Sequence, residues 1–280
     1  MLCLIQTCAK QDKSNEQEPS VPMAQEDTLS SKTDFFLEEG AILGLRFGVY
    51  HNEIDKTECR NFLRHTFFPA WKNLFPGSEV FYLDALKGPH TDKEVFFWAF
   101  QDRATHASYF PHNSFPSEAF EKRWETIKWL YADTTLYKYL QSGWSRSPFA
   151  KDYELIASGK ATEMELLKPN THFIIESFQL NANVTSEAFE QYLHKQWKSE
   201  AQLNDHGANF MLKRLGSKNQ NQYAQLFAFE AEHCAREFLA MHQQKSASND
   251  AKPMFVVANT GLNKFAKRDD MEITQFSVIY

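Results

Sequence analysis

The feature that most constrains this chain is a spacing. Glu58 and Glu187, His65 and His194, Phe81 and Phe210, and Phe100 and Phe229 each stand 129 residues apart. Wording repeats at the same distance: FYLDALKG at residues 81–88 is answered by FMLKRLGS at 210–217. One offset held this long predicts two copies of a single unit, and so long a period means domain duplication, not a solenoid.

Each copy reads as the same succession of elements. Residues 42–51, ILGLRFGVYH, alternate and are rich in β-formers, which predicts a strand. A helix follows over 52–75, with Asp55 or Thr57 as its cap and Glu58 in its first turn. Its apolar positions Cys59, Phe62, Leu63, Phe67, Ala70, Trp71 and Leu74 recur at three and four. Strands are expected at 78–88 and 93–102, a short helical turn at 103–111, one amphipathic helix at 117–141 and a strand at 152–159. The second copy runs strand 172–180, helix 185–203, strands 208–216 and 222–230, helix 231–244, then strand candidates at 252–261 and 272–280. The fold class is α+β: two tandem ferredoxin-like β-α-β-β-α-β domains, residues 35–165 and 166–280, packed sheet to sheet.

Phe67, Phe68 and Trp71 crowd the end of the first helix because aromatics bury the most area per residue against a broad sheet. Pro69 removes a backbone donor inside that helix and predicts a kink. Pro76 and Gly77 end the element, the first by blocking the helix and the second by supplying a left-handed turn.

Residues 9–34 are polar and nearly free of large apolar side chains, so they are expected to be disordered. They follow MLCLIQTC, and the junction resembles the start of a bacterial lipoprotein, with Cys8 as the lipidated residue. It departs from that pattern in its short apolar segment, its lack of a basic leader and its Thr7. The resemblance implies a signal remnant and tether over 1–34, membrane attachment through Cys8 and a cell-envelope location. Without it the chain is expected in the cytoplasm. Lys and Arg (30) are outnumbered by Asp and Glu (36), so no nucleic-acid partner is expected. No metal is expected, because no His-x3-His or CxxC spacing occurs.

The candidate chemistry is sparse. There is no Gly-x-Ser-x-Gly elbow and no phosphate-binding glycine loop. Arg46 stands mid-strand with Gly44, Gly48 and Tyr50 on its face, so it should be buried and must have a partner. That partner is either a bound anion or a carboxylate, with Asp84 as the candidate; Glu176 raises the same question in the second copy. Tyr50, Trp71, Tyr82 and Trp98 line an aromatic pocket or simply form core. His65 and His194 are a pair of acid-base groups or ligands, or two surface residues left from the duplication.

Two such units in tandem resemble the dimeric α/β-barrel superfamily, most nearly its NIPSNAP-type and stress-responsive members. The residues that carry the likeness are LRFGVYH, FFPAWKNLFPG and VFFWAFQDRATHASYFP. It implies intramolecular pairing of the two domains. The leading expectation is a small-molecule-binding protein with its pocket between sheet and helices of the first domain, Arg46 as polar handle and His65 nearby. The alternative is an oxidoreductase, either cofactor-free and monooxygenase-like or haem-dependent. A haem would want a helix histidine facing an apolar pocket, with His194 or His233 as the candidates.

Overall fold

Strand β1 (Ile42–Tyr50) alternates strictly, and its odd and even residues enter two different cores. On one side β1 pairs antiparallel with β3 (Lys93–Phe100), which carries β2 (Ser78–Lys87) on its far edge. On the other side β5 (Asp152–Ser158) pairs with the start of β1 and β4 (Leu140–Trp144) with its end. The structure, a computed structural model, describes residues 37–72, 74–111, 116–144, 152–159, 169–198, 207–216, 221–245, 262–266 and 272–279. Cys8 and the strand expected at 252–261 lie outside the described residues.

The later strands repeat this order. Strand β6 (His172–Gln179) lies between β8 (Gln222–Phe229) and β9 (Glu272–Val278), and β7 (Ala208–Arg214) flanks β8. The free edges then meet. Strand β2 pairs with β9, Leu83 opposite Val278, and β5 pairs with β7, Tyr153 opposite Arg214. Eight strands thereby close in the order β1-β3-β2-β9-β6-β8-β7-β5, with β4 as an extension beside β1. Two sheets packed face to face were expected; instead their edges hydrogen-bond into one barrel. Closure leaves these strands no unpaired edge to aggregate.

Helices cover the outside of the ring. Helix α1 (Lys56–Phe62) is capped by Asp55, whose Oδ1 accepts from the N–H groups of Thr57 (2.8 Å) and Glu58 (3.3 Å). It passes into a π turn (Leu63–Phe67), closed by the Phe68 N–H donating to the Leu63 carbonyl, and then into α2 (Phe68–Trp71). Helix α6 (Ser186–Tyr192), capped by Thr185, passes into a π turn at Leu193–Trp197 in the same way. The second turn contains no proline, so Pro69 is not the general cause of the irregularity. Helix α2 stops at Trp71, and Gly77 (φ 78°) immediately precedes β2; a Cβ there would stand 2.6 Å from Cγ2 of Thr105.

Caps and π turns stand 130 residues apart, whereas β3 and β8 stand 129 apart. One residue fewer follows the helix in the later half. Within the helices His194 therefore matches Arg64, not His65, which corrects the expected histidine pair.

The single helix expected at 117–141 is broken. After α3 (Arg103–Tyr109), helix α4 (Glu118–Ile127) gives way to a 3₁₀ turn (Lys128–Tyr131) and a short α5 (Leu136–Tyr139). The Thr135 hydroxyl donates to the carbonyls of Trp129 and Ala132, offering the backbone an alternative to helix. Residues from Leu140 then pair with β1. Helix α7 (Glu232–Lys245) covers β6 and β8. No described helix is long and apolar enough to cross a membrane.

Candidate functional site

The inner face of the barrel is a continuous apolar core. Leu43, Phe97, Phe173, Phe210, Leu226 and Phe276 are all at most 2% exposed, interleaved with Ala99, Ala208, Ala224 and Ala228. Phe97 meets Phe173 edge-on at 5.8 Å between centroids. Eight strands enclose a lumen just wide enough for side chains to fill or for one small ligand. Here one end is left open: a cavity of about 190 Å³ lies where β1, β6 and β7 finish. Leu43, Leu45, Phe97, Ile175, Leu212 and Phe276 form its apolar part; Phe47, His90, Tyr153, Ser177, Arg214 and Thr274 complete it. The His90 ring lies on Phe47 with centroids 4.0 Å apart, and Lys93 Nζ stands 3.2 Å from His90 Nδ1. Arg214 Nη1 donates to the Gln222 side-chain oxygen.

The outer face under the first set of helices is filled by rings. Phe67 and Phe68 are fully buried, Phe68 stacks on Tyr82 at 4.8 Å, and Trp71 meets Trp98 edge-on at 5.2 Å. Trp98 Nε1 donates to Ser78 Oγ at 3.0 Å. Tyr50 belongs to this cluster, and Arg46 lies on the same face of β1. Five of the six residues singled out from sequence thus share one layer. His65 does not join them; it is exposed on the π turn, as His194 is on the other. His233 is also exposed, and none of these three histidines lines the lumen cavity. Among the described residues no group of three or more His, Cys, Asp or Glu is placed to hold a metal ion.

Arg46 is 2% exposed, as a mid-strand arginine between glycines should be, but its partner is Asp152 and not Asp84. Arg46 Nη1 lies 2.6 Å from Asp152 Oδ1, and His106 Nε2, from α3, lies 3.5 Å from Oδ2. Gly44 makes room for the pair: a Cβ there would stand 2.6 Å from Asp152 Oδ1 and 2.7 Å from both Nη atoms of Arg46. Gly44→Ala should therefore lower stability by about 1–3 kcal/mol through overpacking. Urea unfolding checks this, and a loss below about 0.5 kcal/mol, the scale of an ordinary surface change, would mean the ion pair can shift aside.

Asp84 pairs instead with Arg60, Nη2 to Oδ1 at 3.1 Å, and Arg60 Nε donates to Glu94 Oε1 at 3.0 Å. The Tyr82 hydroxyl donates to the other Glu94 oxygen. Glu94 is 1% exposed, and burial pushes its carboxyl up to about 8 even with the guanidinium beside it. Burial also raises the Tyr82 hydroxyl and lifts the Cys59 thiol to about 12, so Cys59 is an inert core residue. Cys234 is half-buried.

Sequence reasoning missed Glu94, Arg60 and Asp152, and it missed the whole lumen. Glu94 carried a readable signal: an acid inside the apolar run KEVFFWAF.

No family model matches this chain, and no curated protein matches it. Among solved structures it is similar to an anthrone oxidase-like protein at 10% identity, covering 87% of this chain and 93% of that one, TM-score 0.48. It is similar to a chlorite dismutase variant from Candidatus Nitrospira defluvii at 8% identity, covering 88% and 94%, TM-score 0.46. A major regulator of staphylococcal pathogenesis aligns at 14% identity over 85% and 99%, TM-score 0.38. At this depth the fold rests on the chain's own strand order: a closed eight-stranded α+β barrel with helices on its outside.

Proposed function

We propose that this chain is a small-molecule-binding protein of the dimeric α/β-barrel type, made by tandem duplication of one ferredoxin-like unit, with its ligand in the barrel lumen. The duplication is supported by strand order, β5-β1-β3-β2 in one half and β9-β6-β8-β7 in the other. It is supported further by the two π turns, a rare element occurring at the same place after a capped helix. Kinship with NIPSNAP-type and stress-responsive members is the finer form of the same proposal.

The observation that carries the binding reading is the 190 Å³ cavity at one end of an otherwise packed lumen. A dry cavity of about 150 Å³ is enough to take benzene. The sheet–helix layer, where the sequence suggested a pocket, is instead occupied by interlocked rings around an internally paired Arg46. Toluene is the simplest probe. It should raise the melting temperature of the wild type, by mass action on the folded state, and leave Ile175→Phe unmoved because the added ring fills the lumen. A toluene response retained in a folded Ile175→Phe variant would place the site elsewhere.

An oxidoreductase is the second reading, favoured by one observation. Glu94, held near 8 beside Tyr82 and reached through the partly exposed Arg60, is a carboxyl able to exchange a proton near neutral pH. The exposed His194 and His233 do not fit a haem ligand facing an apolar pocket.

A further inference from the structure

We propose that the lumen takes a single six-membered ring bearing one hydroxyl, with phenol as its simplest form, held through that hydroxyl by Thr274 and Ser177. This rests on the lumen reading above and adds the chemical class of the ligand. Size points to one ring: a cavity of about 190 Å³ exceeds the space that holds benzene by roughly a small substituent. The polar lining points to the hydroxyl. Arg214 donates to Gln222, the His90 ring lies on Phe47, and both residues, like Tyr153, hold further interactions. Ser177 and Thr274 line the same cavity, and among the described residues neither side chain has a hydrogen-bond partner. Thr274 is 4% exposed. A buried hydroxyl is normally hydrogen-bonded, so whatever fills the cavity must supply the partner.

Strand register brings the two hydroxyls together. Thr274 on β9 stands directly opposite Ile175 on β6, and Ser177 follows Ile175 by two residues on the same face. The two are therefore diagonal neighbours on adjacent strands, roughly 7–8 Å apart at the backbone and closer at the side chains. A hydroxyl both donates and accepts. A ligand hydroxyl between them can accept from one and donate to the other, whereas a methyl in its place satisfies neither. The duplication explains the space. Phe47 is the sixth residue of β1 and Ser177 the sixth residue of β6. Where the first copy puts a ring, the second puts a small hydroxyl, so room and a polar group appear at the same place. Phe97, Phe276, Leu43 and Leu212 supply the apolar surface for the ligand ring.

Phenol and toluene differ by a hydroxyl in place of a methyl, and phenol is uncharged at neutral pH. Their dissociation constants, measured by calorimetry on the full chain, decide the matter. Both should bind the wild type. Thr274→Val keeps the shape of the side chain and removes its hydroxyl; it should weaken phenol by at least about tenfold and leave toluene unchanged. Ser177→Ala should act in the same direction. Ile175→Phe, which fills the lumen, should abolish binding of both compounds. Toluene binding without phenol binding overturns the hydroxyl class and leaves the lumen standing. So does a phenol affinity untouched by both Thr274→Val and Ser177→Ala, the result expected if the two hydroxyls are satisfied by water alone. Phenol binding retained in Ile175→Phe overturns the placement. If neither compound binds the wild type, the lumen reading falls and the hydroxyl class falls with it. Should Thr274→Val not fold, Ser177→Ala decides by the same comparison.

Discussion

Arg46→Met should lower the stability of this protein by about 3–5 kcal/mol, the cost of leaving a buried charge without its partner. Both members of the pair are buried, Arg46 at 2% and Asp152 at 0% exposure, and they meet at 2.6 Å. Removing the guanidinium leaves Asp152 with the His106 ring at 3.5 Å. Asp152→Leu alone should be comparably costly, for the mirrored reason. The double variant should recover most of the loss, since a buried ion pair exchanged for apolar side chains is often neutral or better. Urea denaturation of the four proteins gives the coupling as a double-mutant cycle. Additive losses would mean that the two side chains do not hold each other. Toluene binding should be the same in all four, because Arg46 faces the helices and not the lumen.

Glu94→Gln should remove a pH dependence. The wild-type carboxyl has a folded value near 8 against an ordinary 4.5. Below pH 4.5 it is neutral in both states and contributes no slope. Between 4.5 and 8 the unfolded chain releases the proton while the folded chain retains it. Stability therefore falls as pH rises across that window, by about 1.4 kcal/mol per pH unit at most. From pH 4.5 to 7 the accumulated loss is roughly 3 kcal/mol. Glutamine is neutral throughout, so the variant should show a flatter profile and gain on the wild type as pH rises. Any change in the hydrogen bond from Arg60 shifts the whole curve of the variant without restoring the slope. Urea midpoints from pH 4.5 to 8 compare the two, and parallel curves would show that Glu94 is ionised in the folded protein at neutral pH.

The sequence was readable wherever the deciding contact is local. Alternation placed Arg46 among glycines on a covered face, and its burial followed. Its partner was not readable. Asp84 is close in sequence, but β3 lies between β1 and β2, whereas Asp152 arrives directly beside Gly44 on β5. Lateral strand order is a tertiary fact, and no periodicity encodes it. The same limit applies to His65 and His194: a one-residue change in a connection shifted the apparent match, and only the caps and π turns reveal it. The break in the helix expected at 117–141 was available in principle from DTT at 133–135, a run of poor helix formers with Thr135 able to bond backbone carbonyls. The lumen is the largest omission. Period two says that Leu43, Leu45 and Phe47 share a face, but an empty volume depends on the summed side chains of eight strands.

Binding in the lumen is tested most directly by methyl NMR of the full chain titrated with toluene. Leu43, Leu45, Ile175 and Leu212 line the cavity, while Leu63, Ile127 and Leu130 lie in the helix-side core. Saturable shifts confined to the first four methyl-bearing residues are the predicted result. Shifts at Leu63, Ile127 and Leu130 with the lumen methyls unmoved would contradict it and return the site to the aromatic layer beneath the helices.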